Sequence, residues 1–125
     1  PITPPTGGRI SYFSITWRYE TMQRVELKIA MANNQTETRT AYMLPETAHG
    51  VRFAVVRDDS VTHPAKWSVS QFDTGLKSGP DCWTRKDAIK AHNDRLYWLA
   101  DRKGADFVAQ KLRDTVAEYP TINEL

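Results

Sequence analysis

Residues 67–103 read WSVSQFDTGLKSGPDCWTRKDAIKAHNDRLYWLADRK, and this stretch decides the fold. Trp67, Val69 and Gln71 alternate with Ser68, Ser70 and Phe72, the period-2 signature of a half-buried strand. Asp73-Thr74-Gly75 is turn chemistry, with Gly75 free to take a positive φ. After a short return segment, Thr84-Arg85-Lys86-Asp87 reads as a helix start. Thr84 is placed to cap the first turn, and Asp87 lies near the positive end of the helix dipole. The stretch is therefore a hairpin that feeds directly into a helix.

Working toward the C-terminus, the spacing predicts a helix over residues 85–102. Ile89, His92, Leu96, Leu99 and Ala100 share one face at 100° per residue, and Asp87, Ala91, Asp94, Trp98 and Asp101 share the opposite one. Gly104 stands where a C-terminal cap belongs, preceded by Arg102 and Lys103. A second helix over 105–118 carries Phe107 or Val108, Leu112, Val116 and Tyr119 on one stripe, and Pro120 stops it. The last five residues, TINEL, read as a loose tail.

Working toward the N-terminus, 51–57 and 36–44 read as strands, the latter rich in threonine and ended by Pro45. The cleanest alternation is Val25, Leu27, Ile29 and Met31 against Arg24, Glu26, Lys28 and Ala30. A one-residue slip there would bury charges, so its register should be well specified. Asn33-Asn34 suits the tight connection between these two strands, because asparagine tolerates left-handed backbone. A further strand is expected over 9–19, with Phe13, Ile15, Trp17 and Tyr19 on one side. Strands followed by helices give an α+β fold: an antiparallel sheet of about five strands, with two C-terminal helices packed on one face. The expected organisation is a flexible lead-in at 1–8 (PITPPTGG), one domain over 9–119 and a tail at 120–125. From Val51 on, the order of elements resembles the strand–strand–strand–helix unit of HicB-like antitoxins, a likeness of arrangement over about half the chain.

The totals narrow the function classes. At 125 residues, 40% hydrophobic and 26% charged, the chain suits one soluble globular domain. It contains no apolar run of membrane-spanning length. Pro1 is read as following a removed initiator methionine, which gives the expectation of a cytoplasmic protein. A net charge of +2, from 17 basic and 15 acidic side chains, falls short of the excess expected for a protein built on phosphate contacts.

Three histidines, His49, His63 and His92, lack the close pairing of a zinc site, and His92 falls on the core side of its helix. Cys82, the single cysteine, sits between Asp81 and Trp83 just before a helix start. The acid beside it disfavours the thiolate that nucleophilic chemistry needs. Asp58-Asp59 with His63 could form a metal-dependent corner, but no second acidic cluster accompanies it. Phosphate loops, serine elbows and zinc-protease helices are absent from the sequence. The expectation is no catalytic residue, no metal and no cofactor.

Two surfaces of the first helix are candidates for binding. Between Thr84 and Gly104 stand six basic and three acidic residues, and Arg85, Lys86, Lys90 and Arg95 are the nucleic-acid candidates. These four do not share one stripe, and the interleaved aspartates favour a solvated helix of mixed sign. Trp98 projects opposite Ile89 and Leu96. Either the second helix folds back and buries it against Phe107 or Leu112, or Trp98 anchors a partner together with Tyr97, Asp94 and Arg102. Trp17, Trp67 and Trp83 read first as core. With four tryptophans, five tyrosines and four phenylalanines, however, some aromatic surface must stay uncovered. The reading is a small non-enzymatic regulatory or inhibitory protein that binds another protein, of a size that suits phage or plasmid origin; homodimerisation is an open option. The alternative is a nucleic-acid-binding module, and the third reading a cysteine- or carboxylate-dependent hydrolase.

Overall fold

A computed structural model describes residues 22–58 and 66–124. The strand expected over 9–19, with Trp17, lies outside the described residues, as do Asp59 and His63. Four strands are seen: β1 (Arg24–Ala30), β2 (Thr36–Met43), β3 (Phe53–Asp58) and β4 (Lys66–Gln71). They form one antiparallel sheet in the order β1-β2-β3-β4. Two helices follow, α1 (Arg85–Lys103) and α2 (Ala105–Glu118), so the domain is α+β as expected. Asn33 and Asn34 both take positive φ in the β1–β2 connection, at 66° and 60°. The return segment after β4 forms only isolated bridges, Ser70 with Lys77 and Trp67 with Cys82, and no sixth strand.

Alternation assigns the two faces of the sheet. Val55 stands opposite Tyr42 and Val69, and these side chains with Phe53 and Trp67 point to the helices. Ala88 and Ile89 of α1 and Val108 and Leu112 of α2 close that core. Each valine, leucine, isoleucine or phenylalanine among them contributes about 2 kcal/mol on full burial. α1 starts where Thr84 Oγ1 accepts the Asp87 N–H at 3.1 Å, and Gly104, at φ +95°, turns the chain directly into α2. His92 is buried in this core, its ring 4.5 Å from that of Phe53 and its Nδ1 3.4 Å from Ser78 Oγ.

The opposite face carries Leu27, Arg39, Ala41, Ala54, Val56, Ser68 and Ser70, all buried. Four of these seven are alanine or serine. Small side chains let the sheet curl, so that this face becomes concave. The curl brings the outer strands β1 and β4 together at one end. The turn that leaves β4 reaches β1, where Gly75 O accepts the Ala30 N–H at 3.0 Å. Gly75 has φ +69°, and a Cβ there would press on Lys28 O and on the Ile29 backbone, so the position demands glycine.

The C-terminal residues complete this seam, which corrects the expectation of a loose tail. Asn123 is buried, and its side chain binds the Lys28 peptide on both sides. Its Oδ1 accepts the Lys28 N–H at 2.8 Å, while Nδ2 donates to Lys28 O at 2.7 Å and to Phe72 O at 2.9 Å. Asn123 thus occupies the edge of β1 much as another strand would. Sequence periodicity gives no sign of this, because a side chain bonding to backbone has no period.

Two outcomes test this packing. Asn123→Ala should cost about 2 kcal/mol, since it leaves a strand-edge peptide and the Phe72 carbonyl unpaired; the urea midpoint measures it, and an unchanged midpoint contradicts the seam. Burial, with the Arg95 charge second, lowers the His92 pKa to about 4 from 6.5. Between those values the unfolded chain binds the extra proton, so stability is full above pH 6.5 and falls as pH drops toward 4. That loss is roughly 3 kcal/mol. A His92→Gln chain should lack this component when urea midpoints of the two are compared across the same pH range.

Candidate functional site

Trp98 is 53% exposed and Tyr97 63% exposed, side by side on the solvent side of α1. α2 does not fold over the indole. It leaves Gly104 at an angle that sends Val108, Ala109 and Leu112 into the core and leaves Phe107 exposed. Of the two fates open to Trp98, burial by the second helix is therefore overturned. Tyr119 is also exposed, so the buried stripe of α2 is Val108, Ala109 and Leu112, with Val116 at its margin.

The exposed rings around the α1–α2 elbow are bracketed by cations. The Arg102 guanidinium lies 4.7 Å from the Trp98 ring centre, one turn on, and Lys103 Nζ lies 5.7 Å from that of Phe107. Each such pair contributes about 0.5–1 kcal/mol at an exposed site and holds the ring in one orientation. Asp94 is engaged by Lys90 at 2.6 Å, one turn back on the helix. Of the four residues proposed for partner contact, the structure brings Trp98 and Arg102 together and sets Tyr97 beside them. It commits Asp94 to an ion pair within the helix.

The four cations proposed for nucleic acid are dispersed and engaged. Arg85 lies over the rings of Tyr42 and Trp67, at 4.6 and 5.6 Å. Lys90 holds Asp94, and Arg95 donates to Ser78 O at 3.4 Å. Lys86 is half-buried at the first turn of α1. They form no continuous stripe.

Trp83 corrects another expectation, because it is 59% exposed rather than core. Cys82 pairs with Trp67 across the bridge and faces the helices, so alternation turns the next side chain outward. Lys66 Nζ caps its ring at 4.9 Å. The signal was the sequence neighbour: with Cys82 facing in, Trp83 had to face out.

Among the described residues the chemistry-bearing groups do not converge, and no group of three or more His, Cys, Asp or Glu side chains could hold a metal ion. His49 lies in an exposed loop and His92 in the core, while Asp58 binds Arg39 at 3.0 Å. No helix among the described residues is long and apolar enough to cross a membrane. Burial raises the Cys82 thiol pKa, with Asp87 and Asp81 adding to it, so its thiolate is scarce at neutral pH.

Alkylation of Cys82 by iodoacetamide at neutral pH should therefore run slower than that of free cysteine; a faster rate would mark an activated thiol. No protein-family model matches the chain, and no curated protein and no solved structure matches it. The described elements from Val51 on run strand, strand, helix, helix, one strand short of the arrangement that resembled HicB-like antitoxins.

Proposed function

We propose that this chain is a small, non-enzymatic regulatory or inhibitory protein of the cytoplasm that acts by binding another protein. The docking surface is the outer side of α1 near its C-terminal end, with Trp98 and Tyr97 as anchors and Arg102 fixing the indole. One observation carries this reading: two large aromatic side chains stand adjacent and mostly solvent-exposed on a regular helix. Exposed tryptophan and tyrosine lose little conformational entropy on binding and are enriched among residues that dominate interface energy. Arg102 adds a planar donor beside the ring, suited to a carboxylate or carbonyl on the partner.

The dispersed cations and the acidic residues along α1 weigh against a phosphate-dominated interface, and the raised Cys82 pKa weighs against a thiol hydrolase.

Affinity capture with the 125-residue chain, followed by titration of the retained protein, tests the proposal. Trp98→Ala should weaken binding by about 30-fold, corresponding to about 2 kcal/mol, and should leave the urea midpoint within about 0.5 kcal/mol of the parent. The affinity should change little with salt. A Trp98→Ala chain that unfolds, or a binding partner released steeply by salt, would overturn the assignment.

A further inference from the structure

The concave face of the sheet holds a cleft of about 200 Å³, and we propose that it binds a small polar molecule of zero net charge, the size of a free neutral amino acid. The cleft exists because the sheet curls: Ile29 and Met31 from the β1 side and Ser68 and Ser70 from β4 line the same space. In a flat sheet of this strand order those residues would stand at opposite edges.

The two serines point to a ligand. Ser68 and Ser70 are 7% and 3% exposed, and both line the cleft. Among the described residues, neither hydroxyl has a hydrogen-bond partner. Their cross-strand neighbours are Val56 and Ala54, so β4 turns hydroxyls into a concavity whose other walls combine apolar side chains with the charges of Arg39, Asp58, Lys77 and Asp81. Buried hydroxyls are ordinarily paired, and alanine would fit the same places without that demand.

The charges select the ligand class. Arg39, nine-tenths buried, is held by Glu37 and by Asp58 at 3.0 Å, and Lys77 is held by Asp81 at 2.9 Å. Each cation at the cleft is already matched. A ligand of net charge would have to break one of these pairs or lie uncompensated beside it. A molecule that carries both signs, or donors and acceptors in balance, meets the fixed pairs without displacing them.

Size limits the choice further. An enclosed cavity of about 150 Å³ takes benzene; by that scale this half-open cleft holds about eight non-hydrogen atoms of a ligand. Valine and threonine are of that size. Their aliphatic carbons suit Ile29, Met31 and Val56, and their ammonium and carboxylate groups suit the two serine hydroxyls and the ion pairs of the lining.

Titration of the 125-residue chain with valine or threonine, followed by backbone-amide NMR, tests the site. Saturable shifts are expected at Ser68, Ser70 and Gly75, with Kd millimolar or tighter. Ser70→Ala should weaken binding about tenfold. Ser70→Leu, which fills the cleft, should abolish binding, the amide spectrum reporting that the fold is kept. Aspartate and lysine should not bind, and the Trp98→Ala chain should bind valine as the parent does, so this result stands apart from the docking surface on α1. The proposal is overturned by no saturable shift with any neutral amino acid (the hydroxyls then being met by water only), by aspartate or lysine binding as well as valine, or by Ser70→Ala binding unchanged.

Discussion

A single backbone bond, from Ala30 N–H to the carbonyl of Gly75, ties the outer strand β1 to the turn that leaves β4. A four-stranded sheet can make that contact only if it is strongly curled, and much of the remaining structure follows from the curl. Gly75 lacks a side chain because Lys28 and Ile29 stand where one would be. Ala41, Ala54, Ser68 and Ser70 are small because they face the inside of the curve. Asn123 returns from beyond α2 to bond the next peptide along, at Lys28, and so covers an edge that would otherwise invite pairing with another chain.

The curl also separates the two sides of the molecule by task. The convex face takes the helices and the larger apolar residues, including Phe53, Val55 and Ile89. While α1 spends its inward face on that core, Tyr97 and Trp98 stand mostly exposed on its outer face. Arg102 and Lys103 place their charges over the exposed rings near the elbow, which keeps apolar surface soluble while leaving ring edges accessible. A docking role for that surface and a ligand role for the concave cleft are physically independent, since the helices and the cleft lie on opposite faces of the sheet.

Most of the fold was legible because it rests on periodic burial. The alternation of Val25, Leu27 and Ile29 found β1, and the Thr84 cap with Gly104 bounded α1 to within a residue of its end. The same periodicity put His92 in the core. What escaped was non-periodic or depended on tertiary geometry. Asn123 acts through three side-chain-to-backbone bonds at a sequence distance that no local pattern encodes. Trp83 looked like core by composition, yet its inward-facing neighbour Cys82 decided its direction. The wheel showed Trp98 opposite the core face, but the direction in which α2 departs from Gly104 settled its exposure. The cleft was invisible, since Ser68 and Ser70 belong to the alternate face of an amphipathic strand and read as solvated until the curl enclosed them.

Hydrogen–deuterium exchange at individual amides tests the closed curl most directly. The Lys28 and Ala30 N–H groups sit on the outer edge of a terminal strand, where exchange is ordinarily fast. With the seam formed by Gly75 and Asn123, both should exchange nearly as slowly as Val55 in the centre of the sheet. Rapid exchange at Lys28 and Ala30 beside a protected Val55 would mean an open sheet, and with it neither the cleft nor the division of the two faces would stand.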